Sequence, residues 1–387
     1  MTVFARVLLL CAVLSPPLVF AAPPPPNVAS ESYILMDADT GEVLGEKNAD
    51  LRLPPASLTK IMSAHLVFNA LRDGALRMEQ EIVISRNAWA ANVAGSKTFI
   101  EVGEHVSVRD LLYGVIVQSG NDAAIALAEA LAGDEAAFAE WMNAEARKLS
   151  LDNTRFANST GLPAKAHYTS ARDIANIVRA SVREHPKLYQ IYAEREFTFN
   201  NITQQNRNGL LDSFDGADGV KTGYTKAAGY SLASSAKRNG RRIIAVVMKT
   251  KSPSARQQES AKLLNYGFAF FRNRRLFDEN KVRDLPVFNG DKESVPARPV
   301  ASGLMTVPRA EALRAVFHPQ NPLLAPVKKG DEVGEIRVMS NDGEVLRVIK
   351  VAAEESIAEG GLWRGITDGI KLHLLGHGEN KRLLAEW

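Results

Sequence analysis

Apolar and polar positions change their period several times along the chain, and each change marks an element. Residues 33–37 (Tyr-Ile-Leu-Met-Asp) are nearly all apolar and read as a strand. The turn Asp39-Thr40-Gly41 sends the chain back through residues 42–47, giving a hairpin. After the breakers Pro54-Pro55 the period lengthens, and residues 57–71 read as a helix closed by Asp73-Gly74. A helical block follows. Ser107, with Asp110 three residues on, signals a helix start. The alanine-rich stretch 121–131 ends at Gly133, Asp134 opens a helix to about Leu149, and 170–183 is stopped by Pro186. Strand patterning resumes in 229–237 and 241–250, joined by Asn239-Gly240, a strong hairpin signal. A helix over 254–271 follows. Strands at both ends with helices between predict an α+β domain whose single sheet is completed by both ends of the chain.

The pattern changes after Arg275. Short runs at 332–339 and 344–351 flank Asn341-Asp342-Gly343, and prolines recur at 286, 296, 299, 308, 319, 322 and 326. This predicts a small β-rich second domain without a cluster of reactive side chains. Beyond it, in 359–376, Leu362, Trp363, Ile366, Ile370 and Leu374 form one apolar stripe on a helix, with Arg364 and Lys371 to one side and Asp368 beyond them. Such a helix lies at a membrane surface or packs on the β-rich domain. Leu372 and Leu375 fall off the stripe, and a polar tail follows.

The first residues read as a removable leader. Arg6, the apolar run 7–14 and Val19-Phe20-Ala21 describe a secretory signal peptide cleaved after Ala21, too short to span a membrane. Pro23 to Pro26 then form a stiff spacer. The layout expected is a signal peptide (1–21), a Pro-rich spacer (22–30), a catalytic domain (31–277), a β-rich domain (278–357), and an amphipathic helix with polar tail (358–387) as candidate membrane anchor.

Composition removes several classes of function. The 47 basic and 44 acidic side chains leave a net charge of +3 with no Lys/Arg block, which argues against nucleic acid. The one cysteine, Cys11, lies in the leader, so the mature chain has no disulfide, thiol catalysis or zinc–thiolate site. The histidines are scattered without a His-Glu-x-x-His helix, and Gly-x-Ser-x-Gly is absent.

Three short motifs carry the chemistry. Ser57-Leu58-Thr59-Lys60 stands at a helix start, where a hydroxyl and an amine three residues apart share one face. Lys60 can take the proton of Ser57, and the unpaired N–H groups of the first turn can bind an oxyanion. The positive end of the helix dipole favours neutral Lys60. Taken alone, a Ser-x-x-Lys at a helix start is more often a cap and a surface lysine. A second copy, Ser234 to Lys237, lies in a strand, where its Ser and Lys point to opposite faces. Ser119-Gly120-Asn121 falls between two helices and reads as a turn, or as a loop aiming a hydroxyl and an amide into a cleft. In Lys221-Thr222-Gly223, Lys221 and Gly223 share a strand face, and the glycine admits close approach. Lys221 would favour neutral Lys60 and attract a substrate carboxylate. Residues 87–98 read either as a segment over the cleft or as an ordinary surface loop.

In this order the motifs resemble those of the penicillin-interacting serine acyltransferases. The segments PPASLTKIMSA, LLYGVIVQSGNDAAIALAE, NSTGLPAKAHYTSARDIA, NRNGLL, GVKTGYTKAAGYSLASSA and RRIIAVVMKT are similar to those of the low-molecular-mass penicillin-binding proteins, specifically the serine-type D-alanyl-D-alanine carboxypeptidases. The likeness covers nearly all of the mature chain. It implies a β-lactamase-like fold, with an antiparallel sheet, helices on both sides and a helical subdomain, followed by the β-rich domain. It implies Ser57 as acylated nucleophile, Lys60 as base, and Ser119 with Asn121 on the proton path. Lys221 and Thr222 would meet the substrate carboxylate beside Gly223, and the N–H groups of Ser57 and Tyr224 would form the oxyanion hole. Arg207 and Arg256 fall where the family has active-site arginines, and Tyr224 stands where related enzymes can carry His. The partners implied are peptidoglycan stem peptides and β-lactam antibiotics, with no metal or organic cofactor. The place implied is the periplasm, peripherally on the outer face of the inner membrane through 359–376. The rival readings are a β-lactamase, a transpeptidase or D,D-endopeptidase on the same scaffold, and a non-catalytic wall-binding protein.

Overall fold

The structure is a computed structural model, which describes residues 22–375 and 385–386. The predicted leader and most of the polar tail lie outside the described residues. The chain divides into two compact units, one spanning Pro24–Arg274 and the other formed by the chain from Arg275 onward.

In the first unit β1 (Ser32–Asp37) and β2 (Val43–Lys47) form the opening hairpin. The buried Asp37 carboxylate fixes the turn by accepting the N–H groups of Asp39 (3.0 Å) and Thr40 (3.1 Å). A 3₁₀ turn, Ala56–Leu58, leads directly into α1 (Thr59–Arg72). Next come β3 (Glu81–Val83), β4 (His105–Ser107), α2 (Val108–Tyr113), α3 (Asn121–Ala132), α4 (Glu135–Lys148) and α5 (Ala171–Glu184). The predicted caps Ser107 and Asp134 each accept the N–H three residues on, and Ser170, expected as the first residue of its helix, caps it in the same way. A hairpin of β5 (Glu196–Phe199) and β6 (Ile202–Gln205) precedes α6 (Leu210–Ser213). The sheet is completed by β7 (Ala217–Thr225), β8 (Gly229–Arg238) and β9 (Arg241–Thr250), and α7 (Pro253–Phe270) follows.

The sheet order is β2-β1-β9-β8-β7, antiparallel throughout, so the early hairpin joins the late strands as predicted. Both faces are buried, which explains the near-continuous apolar runs. Ile34, Met36, Ile244 and Val246 point into a core shared with α1, α3 and α5. Their alternates Tyr33, Leu35, Ile243 and Ala245 point into a second core shared with Leu263 and Leu264 of α7. Val28 is buried in that second core. The expected spacer must therefore be narrowed: its last residues dock on the sheet because an apolar side chain reaches uncovered apolar surface. Two antiparallel strand pairs went unpredicted, β3–β4 and the hairpin β5–β6. The second had a legible signal, since Asn200 and Asn201 both take positive φ (48° and 61°) between alternating apolar residues.

The second unit is β-rich. Its sheet runs Arg283–Pro286, Ser294–Pro299, Val345–Ala353, Glu332–Met339, Arg314–Pro319, with Ala385–Glu386 at the edge. Alternate residues such as Val295, Ile336, Val338, Ile349 and Val351 fill its core. The helix α8 (Leu362–Leu375) follows.

Candidate active site

Ser57 lies in the 3₁₀ turn just ahead of α1, half-buried, and Lys60 is the second residue of α1, one turn on from Ser57 and buried to 1% exposure. Lys60 Nζ is 3.2 Å from Ser57 Oγ, 2.5 Å from Asn121 Oδ1 and 2.6 Å from the Thr160 carbonyl. An ammonium fills all three acceptors. A neutral amine keeps two protons, satisfies Asn121 and Thr160, and turns its lone pair toward Ser57. Burial, reinforced by Arg207, pushes Lys60 down from its ordinary 10.5 to about 7, against the pull of Asp122 and Glu135.

Asn121 is the first residue of α3 and a hub. Its side-chain amide donates to the Ala94 carbonyl (2.6 Å) and its backbone N–H to the Ser96 carbonyl (2.8 Å). The neighbouring Asp122 carboxylate, fully buried, accepts the N–H groups of Thr98 (2.8 Å), Phe99 (2.9 Å) and Ala123 (2.9 Å). The segment 94–99 is thereby tied to the start of α3, and its Gly95 and Ser96 line the cleft. Ser119 precedes α3 in left-handed conformation (φ 63°, ψ 30°) and also lines the cleft. Strain of this kind in a non-glycine residue is held by its surroundings and recurs at functional sites.

Thr160 comes from the NSTGLPAKAHYTSARDIA segment, which the sequence marked by resemblance without giving Thr160 a role. Asn158 Oδ1 accepts the N–H groups of Thr160 (3.3 Å) and Gly161 (2.8 Å), and Ser63 donates to the Ser159 carbonyl (2.6 Å). Gly161 has φ +86°, and a Cβ on it would fall 1.8 Å from the Ala56 carbonyl oxygen. Only glycine lets this loop press against the 3₁₀ turn that carries Ser57. His167 lies in the same loop, with Nε2 2.9 Å from Thr59 Oγ1, and burial pushes it down to about 4. It is a neutral strut and does not line the cleft.

The edge strand β7 forms the other wall. Among the described residues it pairs only with β8, and it packs its free edge beside the 3₁₀ turn. Gly223 admits this approach, since a Cβ there would meet the Pro55 carbonyl oxygen at 3.1 Å and the Leu58 nitrogen at 3.3 Å. Lys221 is buried, and desolvation, with the charges of Lys60, Arg207 and Arg256, pushes it well below its ordinary value. Thr222, Gly223 and Tyr224 line the cleft, Tyr224 stacking on Tyr230 at 4.3 Å between ring centres. Arg207 donates to Ser96 Oγ (2.7 Å), and Arg256 reaches from α7 over the Tyr230 ring. The cleft, about 430 Å³, thus has the Ser57 hydroxyl at one wall and several basic groups at its end.

All ten residues singled out by sequence fall in this one region. Ser57, Ser119, Arg207, Thr222, Gly223, Tyr224 and Arg256 line the cleft. Lys60 and Asn121 are joined to Ser57 by hydrogen bonds, and Lys221 is near enough to Lys60 for their charges to interact. Gly95 and Ser96 belong to the 87–98 segment, which the sequence left open between cleft and surface; the missed contributors are Thr160, Asp122 and Tyr230. Thr160 acts through its carbonyl, which no side-chain motif encodes. Ser234 of the second Ser-x-x-Lys donates to the Ala245 carbonyl inside the sheet (3.0 Å), while Lys237 is exposed.

Comparison with known proteins agrees with this geometry. Residues 19–252 match the sequence model of the D-alanyl-D-alanine carboxypeptidase family, and residues 271–359 that of the penicillin-binding protein 5 C-terminal domain. The chain is 40% identical to D-alanyl-D-alanine carboxypeptidase DacC of Escherichia coli over 90% of its length and 89% of that protein. It is 38% identical to DacA of Haemophilus influenzae, over 91% of each. Among solved structures, penicillin binding protein 5 from Haemophilus influenzae superposes with a TM-score of 0.82 at 38% identity, covering 87% of this chain and 99% of that one. Penicillin binding protein 6B from Escherichia coli gives 0.73 at 36% identity, covering 85% and 96%. The Ser57 turn, the buried lysine beside it and these likenesses across both units lead to one assignment: the chain belongs to the D-alanyl-D-alanine carboxypeptidase family of penicillin-binding serine peptidases.

Proposed function

We propose that Ser57 is the nucleophile that removes the terminal D-alanine from peptidoglycan stem peptides. The observation that carries this reading is the neutral-prone Lys60 amine 3.2 Å from Ser57 Oγ, with its other two contacts already filled. Ser57 Oγ attacks the carbonyl of the penultimate D-alanine, and its proton passes to Lys60 Nζ. The oxyanion is held by the N–H groups of Ser57 and Tyr224. The C–N bond breaks, the proton reaches the leaving amine through Ser119, and D-alanine departs. Water then hydrolyses the ester and restores Ser57.

Lys221 and Thr222, with Arg207 and Arg256, bind the carboxylate of the terminal D-alanine. Two depressed lysines in one cleft share their protonation, and an arriving carboxylate settles the sharing. It raises Lys221 by charge attraction and leaves Lys60 as the neutral base. A β-lactam presents a carboxylate and a strained amide to the same groups and acylates Ser57. The related Listeria monocytogenes penicillin-binding protein D2, 30% identical, has been solved in an ampicillin-bound form.

The domain layout proposed above places this chemistry in 31–277, with 278–357 as an appended β-rich domain. The protein is exported to the periplasm and rests on the inner membrane through 359–376. In α8, Leu362 (89%), Trp363 (82%) and Ile366 (55%) are exposed. The opposite side is held on the β-rich unit, Arg364 donating to Glu293 (2.9 Å) and Asp368 accepting the Asn289 N–H (2.8 Å). An outward apolar face supports interfacial binding. Among the described residues no helix is long and apolar enough to cross a membrane.

The test is Ser57→Ala. Covalent penicillin labelling, read by intact mass and peptide mapping, and D-alanine release from a pentapeptide should both vanish with the fold retained. A stable adduct on the alanine variant, or one mapped to Ser234, would refute the assignment.

A further inference from the structure

The side of α1 beyond Lys60 carries a second constellation that the acyl transfer does not use. His65 is fully buried. Its Nδ1 is 3.0 Å from Ser181 Oγ, and Ser181 gives its one hydroxyl hydrogen to the Ile177 carbonyl (3.0 Å). The hydroxyl must therefore accept from the imidazole, which places the proton of neutral His65 on Nδ1 and a lone pair on Nε2. That nitrogen has no hydrogen-bond partner and faces Glu145 Oε1 at 3.7 Å. The other Glu145 oxygen is held by Lys148 Nζ at 2.9 Å. A buried lone pair opposite a carboxylate is unfavourable unless a cation sits between them.

The C-terminal end of α5 supplies two more donors. His185 is buried, edge-on to His65 at 5.4 Å between ring centres, with Nε2 2.8 Å from Asn69 Oδ1. Glu184 is exposed and meets Arg72 at 3.5 Å. One donor atom from each of His65, Glu184 and His185 lies within 4.8 Å of the others.

We propose that His65, His185 and Glu184, with Glu145 beside His65, bind one divalent transition-metal ion, best matched by Zn²⁺. Imidazole and carboxylate are the donors this ion takes, at about 2.0–2.2 Å. Tetrahedral ligands at that radius stand roughly 3.4 Å apart, so the set must close by up to about 1.4 Å. The exposed Glu184 side chain can make that movement, since Arg72 is also held by Asp73 at 2.8 Å and can release it. Both imidazoles rest a second nitrogen on an oxygen, of Ser181 and of Asn69, as metal-binding histidines do. The exposed glutamate gives the ion a path in. The ion would staple α1, the helix that carries Lys60, to α4 and α5. It is a structural site, offset by about 7.5 Å of helix rise from the catalytic lysine.

The test is calorimetric titration of the chelator-stripped protein with Zn²⁺, alongside visible absorption with Co²⁺ as a probe. Binding of one Zn²⁺ per chain, weakened at least tenfold in His185→Gln, supports the site, provided penicillin labelling is unchanged. Should that variant not fold, Glu184→Gln on the exposed ligand carries the same expectation. Absence of stoichiometric binding in the unaltered protein, or equal affinity in the variant used, overturns the proposal. The gap between His65 and Glu145 then belongs to a proton, as an imidazolium–carboxylate pair.

Discussion

Lys60 has three acceptors around one nitrogen, and its protonation decides which of them it can serve. With Lys60 at about 7 in the folded chain, the neutral base gains population as pH rises through 7. The rate of penicillin acylation should therefore climb with pH through that region and level off above it, read by stopped-flow or timed mass spectrometry. A flat profile from pH 5 to 9 would separate Lys60 from the proton transfer. Lys60→Arg should lose about 10²–10⁴-fold in acylation, the usual worth of general base catalysis, because guanidinium keeps its proton. Lys221→Arg should lose less, on the order of ten- to hundredfold, the worth of one misplaced charged hydrogen bond. Equal losses would show that the two lysines do not divide the roles of base and carboxylate anchor.

At the scale of elements, the site is a meeting of four pieces: the 3₁₀ turn, the start of α3, the 158–161 loop and the free edge of β7. The loop is the most exacting, because Gly161 packs against the Ala56 carbonyl at positive φ while Thr160 holds Lys60. Gly161→Ala should destabilise the protein by about 1–3 kcal/mol, the cost of enforced local strain. It should also slow acylation as the Thr160 carbonyl is displaced. Urea unfolding midpoints and penicillin labelling rates read the two effects; wild-type values in both would mean the loop yields freely. The motifs were legible as local patterns. Their mutual distances were not, because Lys60, Asn121 and Thr160 are separated by 61 and 100 residues and meet only through packing.

At the scale of the whole molecule, every residue lining the cleft lies in the unit Pro24–Arg274. Truncation before Glu359 should leave D-alanine release from a small soluble peptide unchanged. The same truncation should move the protein fully to the soluble fraction. Unchanged fractionation, or loss of folding, would assign α8 to packing on the β-rich unit.

The sequence by itself determined the elements and their punctuation: the 33–47 hairpin, the caps at Ser107 and Asp134, and the Asn239-Gly240 turn. These rest on propensity and hydrogen bonds within a few residues. It also determined the chemistry, because Ser-x-x-Lys, Ser-Gly-Asn and Lys-Thr-Gly in that order match one family's motifs. Only the tertiary structure decided which backbone carbonyl holds Lys60, that Asp122 anchors the cleft wall, that Val28 joins the core, and that His65 and His185 share one burial site. Each of these is a contact between residues remote in sequence. Burial sets their electrostatics, and no local pattern encodes it.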